Sequence, residues 1–131
     1  MRFLWLSLVF CSVMLAQAPN AGQIFRDAVA AQQRGDDATA IGKYQELLRM
    51  HPEAAELHAN LGAALAHAGR YDEAIAQYQA ALAKLPSNSG LHLNLALAYY
   101  KKSDLPRAAQ EFDSLHKSQP DDVRIAALLG D

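Results

Sequence analysis

A register of 34 residues constrains this chain more than any other feature. Asn60-Leu61-Gly62 recurs as Asn94-Leu95-Ala96. Tyr71-Asp72-Glu73-Ala74 is followed by Tyr78, Ala81 and Pro86. The same slots read Leu105-Pro106-Arg107-Ala108, then Phe112, Leu115 and Pro120. One period upstream they hold Ala40, Tyr44, Leu47 and Pro52. A fixed period of this size marks stacked repeats, each a supersecondary unit unable to bury its apolar face alone. Function is then sought on a curved surface and not in a closed pocket.

Ahead of the repeats, residues 1–18 read as a secretory signal peptide. Met1-Arg2 is a basic start, Phe3 to Leu15 is apolar apart from Ser7 and Ser12, and Ala16-Gln17-Ala18 has the small-residue pattern of a cleavage site. The apolar run is shorter than the roughly 20 residues that span a bilayer as a helix. Pro19 disfavours a cut at Ala18 and leaves Ala16 and Ala21 as alternatives; an uncleaved segment would act as a membrane anchor. The single cysteine, Cys11, lies inside this run. Cleavage would leave a thiol-free chain, which excludes disulfides, thiolate catalysis and cysteine metal sites. The expected location is the periplasm or the outside of the cell, with no membrane contact after cleavage.

Beyond residue 20 the chain is rich in alanine, leucine and glutamine, strong helix formers with few β-branched residues among them. Leu57, Leu61, Ala64, Leu65 and Ala68 form a helical stripe, and Ala74, Ile75, Tyr78, Ala81, Leu82 and Leu85 form a second. Between them Gly69 offers a cheap left-handed residue at a helix end. Asp72 is an expected helix cap and Glu73 places negative charge in the first turn. Pro86 stops the second helix, and Ser87-Asn88-Ser89 makes a turn and caps the next helix. Pro106 fits a first turn, where its missing N–H breaks no bond. Small residues at Gly62, Ala74 and Ala81, with Ala28, Ala40, Ala96 and Ala108 in the matching slots, let paired helices approach closely, while Tyr44, Tyr78 and Phe112 fill the space between units.

These residues closely resemble the tetratricopeptide repeat, a helix–turn–helix unit of the same period. The resemblance covers essentially everything after residue 20. It divides the chain into units at 21–54, 55–88 and 89–122, with residues 123–131 starting a fourth unit or a truncated capping helix. The second unit matches best. The first departs most, because Asp27 takes a slot usually held by leucine. The implied fold is all-α, a right-handed superhelix, or α-solenoid, of paired antiparallel helices.

In such repeats the first helices line a concave groove that takes an extended peptide or a partner's helix. Carried onto this register, the candidate peptide-binding residues are Phe25, Asn60, Ala63, Asn94, Leu97, Tyr100 and Lys101. Asn60 and Asn94 stand one period apart on one face, and each amide can donate to and accept from a peptide backbone. A subgroup of the family grips acidic chaperone tails with a clamp of basic residues and asparagines. Here Phe25, Val29 and Gly90 stand where a lysine, an asparagine and a lysine would be, Asn94 replaces a further basic residue, and Asn60 alone matches. Phe25, Leu93, Leu97 and Tyr100 make the groove partly apolar, which favours a hydrophobic peptide or helix.

Other chemistry is missing from the sequence. Five histidines are present, but His58 and His92 have no ligand-spaced partner and fit packing positions; His51 and His116 read as solvated. Asp36-Asp37 and Asp121-Asp122 fall in turns, as capping pairs. The net charge of −2 comes with no basic block of the kind that binds nucleic acid. No phosphate loop, HExxH or GxSxG occurs. The expectation is a non-catalytic module without cofactor or metal, exported, binding a protein or peptide partner. A second expectation treats the chain as the N-terminal repeat segment of a larger exported protein whose activity lies downstream of residue 131. Ile125, Leu128 and Leu129 would leave an apolar C-terminal end, open to self-association by head-to-tail stacking.

Overall fold

The computed structural model describes residues 19–119. The signal-like segment 1–18, Pro120, Asp121-Asp122 and the fourth-unit residues 123–131 lie outside them. Among the described residues six helices succeed one another: α1 Ala21–Gln33, α2 Asp37–Met50, α3 Ala55–His67, α4 Tyr71–Lys84, α5 Ser89–Lys101 and α6 Leu105–Ser118. No strand occurs among the described residues. Each helix packs on the next, and α3 also touches α5.

Local chemistry sets the ends. Asn20, Asp36, Asn88 and Asp104 accept from the backbone N–H three residues on, which satisfies a donor that the helix leaves open. Hydrogen bonds from Thr39 hold the Asp36 carboxyl below its usual range. The turn inside each pair has one design. Gly35, Gly69 and Ser103 take positive φ. The next N–H then reaches back across the helix end: Asp36 to the Ala31 carbonyl, Arg70 to Leu65 and Asp104 to Tyr99, each at 2.9 Å. Asp72 is not the cap expected from the sequence. The cap position of α4 is Arg70, which makes no side-chain capping bond. Asp72 lies two residues past the cap slot, in the first turn, and its carboxylate instead accepts from Lys102.

The core is a continuous line of small and large residues. Ala28, Ala31, Ala40, Ala64, Ala74, Ala81 and Ala96 have no exposed surface, and Tyr44 and Leu65 are almost fully enclosed. Gly62 lies beneath the Tyr78 ring; a methyl group there would sit 2.7 Å from a ring carbon. Two stripe residues fall outside the core. Ala68 is exposed because it is the C-cap of α3, and Leu85 because it is the C-cap of α4, where each helix leaves the packed face. His116 is half-buried and not fully solvated.

No helix among the described residues is long and apolar enough to cross a membrane.

Candidate functional site

The candidate residues sit on α1, α3 and α5, the first helices of the pairs. Asn94, Leu97 and Lys101 succeed one another along α5 at helical spacing, so one face presents all three. They wall an open notch of about 220 Å³, together with Ala66 of α3 and Tyr71 and Tyr78 of α4. Sequence reading placed Asn94, Leu97 and Lys101 near one another but missed the contribution of α4. The signal was present: Tyr78 and Asn94 belong to adjacent units, and the ring that packs on Gly62 also reaches that junction.

The other candidates stand apart from this notch. Tyr100 is 54% exposed on α5. Asn60 and Ala63 are half-buried on α3, one period upstream of Asn94 and Leu97. Phe25 is half-buried with its ring 6.2 Å from Tyr44 in an edge-on arrangement, so part of it is committed to the core.

The junction between the first two pairs has the same plan and a different finish. Its slots hold Gln32, Asp37, Tyr44 and His67 where the notch has Ala66, Tyr71, Tyr78 and Lys101. The Tyr44 hydroxyl donates to the Gln32 side-chain oxygen at 2.9 Å. His67 Nδ1 donates to both oxygens of Asp37, at 2.9 and 2.8 Å. The first junction is thus bridged by its own side chains. The second has none of these bridges: among the described residues no hydrogen bond engages the Tyr78 hydroxyl, and no carboxylate pairs with Lys101. Burial pushes the Tyr78 phenol up to about 12, so it remains a donor at neutral pH.

The histidines have structural work. His58 Nε2–H donates to the Pro52 carbonyl at 2.8 Å, and its Nδ1 lies 2.7 Å from the Gln77 amide. His92 repeats this with Pro86 at 2.8 Å and Glu111 at 3.2 Å. Each ring ties the turn before its helix to the second helix of the same pair. A shallow hollow of about 280 Å³ beside His92 is lined by Ser87, Ser89, Ser114 and Ser118. Among the described residues no three histidine, cysteine or carboxylate side chains gather as a metal site.

Comparison with known proteins agrees with this architecture. Two tetratricopeptide repeat family models match, one over residues 25–89 and one over residues 65–131. No curated protein sequence matches significantly. Among solved structures, MamA residues 41 to the end from Desulfovibrio magneticus RS-1 superposes with a TM-score of 0.78 at 20% identity, over 85% of this chain and 63% of that one. This chain therefore spans less than two thirds of that relative. The TPR2B domain of yeast Sti1, in a complex with pHsp70, gives a TM-score of 0.73 at 23% identity, covering 83% of this chain and 92% of that one. The first TPR of Spaghetti (RPAP3), bound to the HSP90 peptide SRMEEVD, gives 0.74 at 16%, covering 83% and 86%. At these identities the likeness establishes the fold alone. With one family model matching more than half of its length, the chain belongs to the tetratricopeptide repeat family, and its helices form an all-α repeat superhelix.

Proposed function

We propose that this chain is an exported, non-catalytic interaction module that holds an extended peptide or helix of a partner protein along the face built by α1, α3 and α5. The observation that carries this reading is the open notch on α5, where Asn94, Leu97 and Lys101 converge with Tyr78. It combines a backbone-reading amide, an apolar wall and a charge, the mixture that recognises a peptide. Asn60 and Ala63 repeat the first two elements one unit earlier and would extend the track. Two structures of the same fold were solved as a complex with pHsp70 and with an HSP90 peptide, which supports a protein or peptide ligand. The clamp for acidic chaperone tails lacks its basic residues here, at Phe25, Gly90 and Asn94. Export rests on the basic start, the apolar run and Ala16-Gln17-Ala18.

The test is affinity capture from the exported fraction with the wild-type chain beside an Asn60→Ala/Asn94→Ala double variant. Both substituted side chains are at least partly exposed, so the variant should keep its helical circular dichroism. A partner held by the wild type and lost by the folded variant supports the groove. A partner held equally by both places the interface elsewhere.

A further inference from the structure

The two junctions between helix pairs share a plan, and the first shows what the second lacks. Gln32 satisfies Tyr44 with a side-chain oxygen, and Asp37 supplies a carboxylate to His67. At the second junction Ala66 stands in the place of Gln32 and Tyr71 in that of Asp37. The Gln32 side-chain oxygen and the Asp37 carboxylate have no counterpart in those slots, whereas both donor-bearing residues remain: Tyr78 and Lys101 line the notch. Leu97 and Ala98 of α5 with Ala66 give the notch an apolar wall, and Asn94 and Tyr71 complete the lining. The volume of about 220 Å³ is smaller than the roughly 300–1,000 Å³ of pockets for whole small molecules. It suits one side chain.

We propose that this notch receives a glutamate side chain of an extended partner peptide, whose carboxylate supplies in trans the acceptors that Gln32 and Asp37 supply in cis at the first junction. The aliphatic stem lies against Leu97 and Ala66. One carboxylate oxygen accepts from the Tyr78 hydroxyl, and Lys101 provides the countercharge. Asn94, at the opposite end of the notch from Lys101, is left free to read the peptide backbone. A charge-assisted bond to a carboxylate is stronger than a neutral one, which ranks glutamate above glutamine. The position differs from the chaperone-tail clamp, because Tyr78 comes from a second helix and Lys101 lies two turns beyond Asn94. The inference rests on the groove reading above and adds a residue preference to it.

The experiment captures synthetic heptapeptides on the full 131-residue chain. Their central residue is glutamate, glutamine or leucine, with random flanks. The wild type should retain glutamate-centred peptides about tenfold over leucine-centred ones, with glutamine between. Lys101→Gln should lower glutamate to the level of glutamine. Ala66→Gln should rebuild the bridge seen at the first junction, close the notch and bring both down to leucine. Tyr78→Phe, which keeps the ring in the core, should act in the same direction if Ala66→Gln fails to fold. Equal capture of the three peptide classes by the wild type, still lost on Asn60→Ala/Asn94→Ala, would overturn the glutamate notch and leave the groove standing. An undiminished glutamate preference in both Ala66→Gln and Tyr78→Phe would place the carboxylate elsewhere and likewise overturn the notch. Capture of no peptide at all would remove the groove reading itself.

Discussion

Gly62 and Gly42 are both helical glycines, and intrinsic propensity favours alanine at either site by about 0.8–1 kcal/mol. Their surroundings separate them. A methyl group at Gly42 meets nothing within 4 Å, whereas one at Gly62 would strike the ring of Tyr78. That ring is only 3% exposed, so moving it off Gly62 would disturb the close-packed core around it. Gly42→Ala is therefore expected to raise stability by about 0.5–1 kcal/mol. Gly62→Ala should lower it by about 1–3 kcal/mol despite the better helix former. Urea unfolding of the two variants checks both signs. Tyr78 makes a second residue-scale prediction. Its phenol is raised from 10.0 to about 12 by burial, so the folded state prefers the protonated form. The stability this contributes is complete below pH 10 and is lost as pH rises toward 12, a fall of about 2–3 kcal/mol. Tyr44 is raised by burial as well. Tyr78→Phe should therefore flatten the alkaline fall without abolishing it, as read from unfolding midpoints between pH 9 and 12.

Among the elements, the three turns inside the helix pairs isolate the cost of a side chain. Gly35, Gly69 and Ser103 occupy one slot with φ of 74, 77 and 69°. A non-glycine residue there brings its Cβ against the following carbonyl at a cost of about 1–2 kcal/mol. Ser103→Gly is expected to recover about 1 kcal/mol, partly offset by the added freedom of the unfolded chain. Thermal unfolding against the wild type reads this directly. Much of the architecture was legible at this scale because period, stripe and turn residues agree: Leu57, Leu61 and Leu65 repeat at four-residue steps and lie in the core. What was not legible depends on depth within a turn. Asp72 looked like a cap because its type suits one, yet Asp36 and Asp104 cap from the slot two residues earlier, which Arg70 occupies here. The notch was hidden for a related reason. Its α5 side is set by helical spacing, but its floor comes from Tyr78, sixteen residues before Asn94 and on another helix. Only comparing one junction with the next, Gln32 against Ala66 and Asp37 against Tyr71, would have exposed it.

For the molecule as a whole, stacking in series makes stability a sum over neighbours. Salt bridges between pairs add little to that sum. Lys102 and Asp72 join the second and third pairs, but both side chains are exposed, and such pairs are worth about 0.2–1 kcal/mol and are screened by salt. Lys102→Ala should cost less than about 1 kcal/mol, and the difference should vanish in high salt. Apolar burial carries the rest, and it is unevenly spread. Five residues of α3 and four of α4 are buried, against three of α1, where Asp27 replaces an apolar residue and bonds to Gln23 at the surface. In a one-dimensional stack a helix with a neighbour on one side opens at lower free energy than one held on both. Within the described residues α1 packs chiefly on α2, while α3 contacts α2, α4 and α5. Native-state hydrogen exchange should therefore be slowest at the amides of α3 and α4 and at least about tenfold faster in α1. Replacing Asp27 by leucine should narrow that gap by covering apolar surface on α1. Uniform protection across α1 to α4 would instead mean that the described residues unfold as one cooperative block, with the junction contacts stronger than their burial implies.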